Sequence, residues 1–227
     1  MKNYKICILC GGKGERLKPI TNNIPKPLVK INNKTILNYI IDHFLMFKVK
    51  DFTIATGYKS EMIEEFLSKK YQKCNFEFSN SGDVDIVKRL SNIKLGNSEK
   101  LIICYGDTIA NVNLNELIKF HNKRKSKATV STYEHRSQFG LFKTNDRSLI
   151  ERYDEKPIVE GRINIGFFVL DNQIAKRLSS FLTFKDFISD CVEKRILYNY
   201  MHDGYHITVN SHHELKAAEK RVHKLSL

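Results

Sequence analysis

The stretch Leu9-Cys10-Gly11-Gly12-Lys13-Gly14-Glu15-Arg16-Leu17-Lys18-Pro19, closed by Pro25-Lys26-Pro27, has the make-up of an anion site. It follows an apolar run, Ile6 to Leu9, that predicts a buried strand. Glycines directly after a strand let the backbone come close to a phosphate and turn its N–H groups toward it. Arg16 and Lys26 bring two cations into a neighbourhood already arranged for negative charge. The ligand this pattern predicts is a triphosphate. Two better-known phosphate loops are excluded by spacing. A Walker A loop needs Gly-Lys-Ser/Thr after four residues, and a Rossmann fingerprint needs G-x-G-x-x-G, whereas this loop runs Gly-Gly-x-Gly and then to Arg16. Gly-Gly-x-Gly alone is as often an ordinary turn. Arg16-Leu17-x-Pro19, Thr21 and Pro25-Lys26-Pro27 at close range make it specific.

The elements that must hold this loop follow from periodicity. A first strand is predicted over 4–10, and Ile36, Leu37, Ile40, Ile41, Phe44 and Leu45 recur at helical spacing. Residues 51–57 read as a second strand, Ser60 as the cap of a helix to Lys70, 74–78 as a short strand, Asn80-Ser81-Gly82-Asp83 as a loop and 84–93 as a helix. Leu101-Ile102-Ile103-Cys104-Tyr105 is the most apolar run and should form the central strand, ending at Gly106-Asp107; a helix over 114–124 and a strand over 128–133 follow. Such alternation gives βαβ units and a parallel sheet. The second half changes character, with strands predicted over 140–144, 149–155 and 162–170, a helix over 183–193, a strand over 196–201 and a terminal helix over 211–222. The expected fold is α/β: a Rossmann-like, mixed but mainly parallel sheet flanked by helices, with an antiparallel portion in the second half. One domain over 1–227 is expected, with a nucleotide-binding half (1–135) and an acceptor-binding half (136–227).

In open parallel sheets ligands collect at the carboxyl ends of the strands. That rule gathers Gly11–Arg16, Gly57, Ser81-Gly82 and Asp107 at one edge. Asp107 stands where a Mg²⁺ ligand would be placed, since Mg²⁺ takes one or two carboxylates plus substrate phosphates. Gly-Asp alone reads as a turn; the buried strand before it and the phosphate loop upstream favour the metal.

The glycine-rich stretch resembles the signature of the sugar-phosphate nucleotidyltransferases, Leu-Ala-Gly-Gly-x-Gly-Thr-Arg-Leu-x-Pro followed by Pro-Lys-Pro, with Cys10 in place of Ala and Glu15 in place of Thr. The resemblance extends over nearly the whole chain, through Tyr105-Gly106-Asp107-Thr108, Gln138-Phe139-Gly140, Glu155-Lys156-Pro157 and Ile163–Leu170. Within that family the chain is most similar to the glucose-1-phosphate cytidylyltransferases. It also resembles the CTP:phosphoglutamine cytidylyltransferases, which charge L-glutamine phosphate with CMP on the way to capsule phosphoramidate. The resemblance implies CTP as donor, a phosphorylated small-molecule acceptor and Mg²⁺ as cofactor. Carried over by position, Leu9, Gly11, Gly12 and Gly14, with Ser81 and Gly82, would hold the nucleotide. Arg16 and Lys26 would neutralise the triphosphate, Lys26 bridging the α-phosphate. Asp107 and Asn210 would hold the metal, and Lys156 and Asn164 the acceptor. Asn210 is a departure, an amide where the family carries a second carboxylate. Two further departures, Ile165 between Asn164 and Gly166 and the contracted stretch Val84–Arg89, fall where the sugar should lie. The expected acceptor is therefore not glucose 1-phosphate. Lys156 alone reads equally as a solvated charge.

Net charge is +13 over 227 residues, which raises nucleic-acid binding as an alternative. The cations are scattered, with no arginine-rich tail or zinc-finger spacing, so no nucleic-acid partner is expected. No apolar run approaches the ~20 residues that span a bilayer, so no membrane association is expected. The N-terminal run is too short for a signal peptide, and the expected location is cytoplasmic. Five cysteines in such a chain argue against a disulfide framework, and Cys7 and Cys10 should face opposite sides of one strand. His202, His206, His212 and His213 have no metal-site spacing and read as surface residues. A second alternative, prompted by Asn210, is a relative that holds nucleotide without turnover. Oligomeric state is not legible, and a homo-oligomer stays open.

Overall fold

The apolar runs Ile6-Cys7-Ile8 and Ile102-Ile103-Cys104 lie side by side in parallel register, Cys7 opposite Ile103 and Ile8 opposite Cys104. The computed structural model describes residues 3–224 and builds outward from this pair. In chain order the first half runs β1 (Tyr4–Leu9), α1 (Ile20–Asn23), β2 (Lys30–Ile31), β3 (Lys34–Thr35), α2 (Ile36–Met46), β4 (Asp51–Thr56), α3 (Ser60–Lys70), β5 (Asn75–Asn80), α4 (Ile86–Ser91), β6 (Lys100–Tyr105), β7 (Thr108–Ala110) and α5 (Leu114–Lys123). The second half runs β8 (Ala128–Arg136), β9 (Leu141–Thr144), β10 (Ile150–Asp154), β11 (Ile158–Asp171), α6 (Asn172–Lys176), α7 (Phe184–Glu193), β12 (Leu197–Met201), β13 (His206–Thr208) and α8 (His212–Arg221).

Seven strands form one sheet in the order β12-β8-β11-β6-β1-β4-β5. β6, β1, β4 and β5 are mutually parallel, as are β8 and β12, and β11 runs against both of its neighbours. This is the mainly parallel α/β sheet that the alternation predicts, with β6 at its centre. The antiparallel portion is divided: β11 belongs to the main sheet, whereas β9 and β10 form a separate hairpin. The three-residue strands β7 and β13 pair with each other above the strand ends, too short to register as periodicity.

Each sheet face buries its own apolar cluster. Cys10, Phe44, Ile54, Ile102 and Phe167 lie in one, and Cys7, Leu101, Ile103, Phe168 and Phe187 in the other. Cys7 and Cys10 therefore face opposite ways, and burial pushes the Cys7 thiol up to about 12. Thr35 opens α2 with a reciprocal cap, its hydroxyl accepting from Asn38 N while Asn38 Oδ1 accepts from Thr35 N, each at 3.1 Å. Two local expectations are corrected. Ser60 is the first residue of α3 rather than its cap; Lys59, left-handed at φ 51°, precedes it, and Ser60 Oγ accepts from Asn80 Nδ2 at 2.9 Å. The strand expected over 74–78 lies at Asn75–Asn80, because Asn75 N bonds back to Lys50 O and sets the register with β4. Among the described residues no helix is long and apolar enough to cross a membrane.

Phe44 is fully buried and meets Phe52 and Phe167 ring to ring. Phe44→Ala is expected to lower the unfolding free energy by about 3–5 kcal/mol in urea titration.

Candidate active site

Lys26 sits in a single 3₁₀ turn between Pro25 and Pro27 and is only 8% exposed. A lysine so buried needs partners, and it has two. Its Nζ lies 2.6 Å from Asp107 Oδ2 and 2.8 Å from Asn210 Oδ1. Arg16 Nη2 donates to the same Asn210 oxygen at 3.0 Å. The loop after β1, the turn after β6 and the segment after β13 thus meet at one point. Asn210 is itself held by two further bonds. Its Nδ2 donates to Thr208 Oγ1 at 3.0 Å, its backbone N to Glu214 Oε2 at 2.6 Å, and Glu214 is fixed by the Ser211 cap of α8. Two hard oxygens, one carboxylate and one amide, thereby meet at the Lys26 ammonium.

The glycine loop is shaped by close approaches. Gly14 is left-handed at φ 66°, and its carbonyl accepts from Thr21 Oγ1 at 2.9 Å. A Cβ on Gly106 would meet the Leu9 carbonyl and lie 2.8 Å from Cys10 Sγ, so only glycine lets the β6 turn reach Asp107 beside β1. Between loop and turn lies a cavity of about 230 Å³, with Leu9, Gly12, Lys26, Val84, Tyr105 and Asp107 in its walls. A second cavity of about 240 Å³ adjoins it, bounded by Gly14, Arg16, Lys26, Asp107 and Asn210. Lys13 and Asp83 form an exposed ion pair that joins the glycine loop to the loop after β5.

Of the residues singled out from sequence, Leu9, Gly11, Gly12, Gly14, Arg16, Lys26, Asp107 and Asn210 all line one or both of these adjoining cavities. Ser81 and Gly82 stand behind the wall: Ser81 Oγ accepts from Asn92 Nδ2 and the Gly82 carbonyl from Arg89. Asn164 lies beside the cavity through Tyr105, donating to its hydroxyl at 3.5 Å while accepting from Gly166 N at 2.7 Å. Lys156 lies elsewhere, in a larger cavity of about 700 Å³ with Glu134, Arg136, His206, Glu214 and Arg221. Ile165 does not crowd an acceptor site. It is 1% exposed in the core, turned inward by an irregularity in β11 at which Gly166 takes φ 78°. His202 and His206 are buried rather than on the surface: His206 opens β13, which pairs with β7, and the Tyr133 ring packs against both imidazoles.

Sequence reasoning missed Arg89, which is 4% exposed and forms no ion pair among the described residues. The signal was present. Ile86, Arg89, Leu90 and Ile93 recur at three- and four-residue spacing, which puts an arginine on the apolar face of α4.

Residues 5–209 match the family model described as nucleotidyl transferase. The chain belongs to that family. Among its relatives, a probable glucose-1-phosphate cytidylyltransferase of Bacillus subtilis (strain 168) is 33% identical over 193 residues, covering 75% of this chain and 76% of the relative. A D-glycero-alpha-D-manno-heptose 1-phosphate guanylyltransferase of Aneurinibacillus thermoaerophilus is 26% identical over 95% of this chain and 96% of its own. Against a mannose-1-phosphate guanyltransferase of Hypocrea jecorina, 31% identical over 75% of this chain, the match spans only 50% of the relative. Among solved structures, HddC from Yersinia pseudotuberculosis shares the fold with a TM-score of 0.74 at 22% identity, covering 96% of this chain and 99% of that one.

Burial lowers the pKa of His43, His121, His202 and His206, the last to about 4. The fold therefore favours neutral imidazoles. Their stabilisation is complete above the ordinary value of 6.5, declines as pH falls and the unfolded chain binds protons, and levels off below the folded pKa. The thermal midpoint is expected to fall steadily from pH 7 to pH 5. His206→Phe should flatten part of that slope, worth at most about 3 kcal/mol.

Proposed function

We propose that this nucleotidyl transferase is a Mg²⁺-dependent cytidylyltransferase that joins CTP to a phosphorylated small acceptor, giving a CDP-linked product and pyrophosphate. The observation that carries the reading is the convergence of Arg16, Lys26, Asp107 and Asn210 at the mouth of the glycine loop. The donor set suits a hard cation: the Asp107 carboxylate and the Asn210 amide oxygen, both bonded here to Lys26, are oxygen ligands of the kind Mg²⁺ takes alongside substrate phosphates. Among the described residues no group of three or more His, Cys, Asp or Glu could hold a metal without help, which agrees with a site completed by substrate phosphates. Bound there, Mg²⁺ would neutralise charge on the polyphosphate.

The remaining work falls to the chain. Lys26, held on one side by Asp107, would place its ammonium on the α-phosphate, and Arg16 would hold the β- and γ-phosphates. An acceptor phosphate oxygen then attacks the α-phosphorus in line, and pyrophosphate leaves with the bonding pair. Positioning and charge neutralisation suffice, without a covalent protein nucleophile. Leu9, Gly11, Gly12 and Gly14 would carry the nucleoside and phosphates, with Ser81 and Gly82 supporting them from behind. Asn164 and Lys156 would serve the acceptor.

The large cavity around Lys156 supports an acceptor of mixed charge, since Arg136 and Arg221 share its wall with Glu134 and Glu214. A phosphorylated amino acid such as L-glutamine phosphate presents both an ammonium and a carboxylate to such a wall; another sugar 1-phosphate is the second candidate. The product would serve as an activated precursor of a surface polysaccharide. The cytidylyl relative supports CTP as donor, and the guanylyl relatives make GTP the competing choice.

Pyrophosphate release should be measured with Mg²⁺ and each of four nucleoside triphosphates, against glucose 1-phosphate, other sugar 1-phosphates and L-glutamine phosphate. Release with CTP and an acceptor other than glucose 1-phosphate is expected. Release with glucose 1-phosphate as good as with any other acceptor would remove the acceptor assignment. Lys26→Met is expected to lower kcat about 100- to 1000-fold, the loss typical of removing one transition-state charge contact.

A further inference from the structure

The β9–β10 hairpin is the part of the molecule that the site chemistry leaves unexplained. It pairs with no third strand, and every one of its strand residues except Asp154 is exposed. A two-stranded hairpin is marginally stable by itself and needs something to pack against. Its two faces differ. Directly opposite residues of an antiparallel pair share a face. Phe142 stands opposite Tyr153 and Thr144 opposite Ile150, so these four make one face, with the two rings 4.9 Å apart between centroids. Lys143 stands opposite Arg152, and Leu141 opposite Asp154, on the other. Gly140 makes room for the Tyr153 ring, since a Cβ there would collide with it. Phe139, Leu149 and Ile158 flank the strands, and with Phe142, Ile150 and Tyr153 each leaves more than half of its surface exposed. Apolar exposure on this scale marks an interaction surface.

Charge decides what covers it. Between Phe139 and Glu160 five acids and four bases nearly cancel, while the whole chain carries +13. The rest of the molecule is therefore more cationic still, and two copies repel each other wherever those surfaces meet. At the hairpin they do not. An acidic partner is drawn to the cationic body instead, and a basic partner is repelled by it. We propose that the apolar face of this hairpin docks on the same face of a second copy about a two-fold axis, making the protein a dimer. Such a contact is isologous, so the patch must complement itself. Phe142 and Tyr153 meet their own kind across the axis. At the turn, Asp146 and Arg147 enter no ion pair among the described residues, and each finds its opposite in the other copy. The three exposed rings offer on the order of 300 Å² of apolar surface. Leu149, Ile150 and Ile158 take the patch toward the ~800 Å² that each partner of a specific complex contributes. The hairpin is rooted beside the large cavity: Ser137 N donates to the Pro157 carbonyl at 2.9 Å, and Ser137 and Lys156 both line that cavity. The second copy thus braces the wall that carries Lys156.

Sedimentation equilibrium of the full chain, without nucleotide, tests this from ~1 to ~100 µM, the weak end of the affinities that interfaces of this size show. A monomer–dimer equilibrium is expected, and it should tighten as salt screens the +13 charge. Phe142→Glu and Ile150→Glu should each raise the dissociation constant at least about 30-fold. Leu182→Glu, at a still more exposed apolar side chain outside the hairpin, should leave it unchanged. Hydrogen exchange gives a second readout that misfolding does not imitate. Amides of 141–154 should gain protection with concentration in wild type and not in the two hairpin variants, while β1 and β6 stay equally protected in all three. A wild type that stays monomeric overturns the proposal, whether its hairpin amides exchange freely, leaving the face to a different protein, or are covered by the chain itself. A dimer that survives both hairpin variants overturns it too, because its interface then lies elsewhere. So does a dimer that dissociates in salt, since charge rather than apolar contact would be holding it.

Discussion

A lysine ammonium taken almost wholly out of water is the constraint on which the site is built. Lys26 Nζ is satisfied only if Asp107 and Asn210 both reach it, and those residues come from the start, middle and end of the chain. Removing one partner of such a buried pair leaves an uncompensated charge, which destabilises far more than the intact pair stabilises. The three segments are therefore locked together or not placed at all. Gly106 allows the β6 turn to approach β1, and the β7–β13 pair carries Asn210 over the strand ends.

That arrangement explains what could be read in advance. Alternating apolar runs and helical periodicity specify the sheet because β1, β4 and β6 are buried on both faces and so read as continuous apolar stretches. The cluster of Arg16, Lys26 and Asp107 was legible because strand ends in a parallel sheet share one edge, whatever the loops do. Asn210 was legible only through resemblance; nothing in Val209-Asn210-Ser211 itself points to a site. Ile165 was misread because it was placed by resemblance to the family's stretch, whereas the irregularity in β11 turns its side chain into the core. His202 and His206 were misread because the three-residue strand that holds His206 leaves no trace in periodicity, and Tyr133, which packs against both, comes from a distant strand.

Arg89 teaches a different lesson. Glycines after a strand were taken as room for phosphate, and Gly12, with open space where its Cβ would be, fits that account. Gly11 does not, since a protein side chain already fills the space beside it. A glycine-rich loop can owe its residues to two neighbours at once, one a ligand and one an arginine from a distant helix. Spacing along the chain cannot distinguish them.

The order of strands in the sheet also bears on how the chain is made. β1 leaves the ribosome well before β6, yet one of its edges pairs with β6, whose register begins at Tyr4 opposite Lys100. At ordinary elongation speeds that partner follows on the order of 5–20 s later. Through that interval a strand of Ile, Cys and Leu has one row of backbone donors and acceptors unclaimed. Translation rate, as much as sequence, sets how long this nascent edge is offered to other chains.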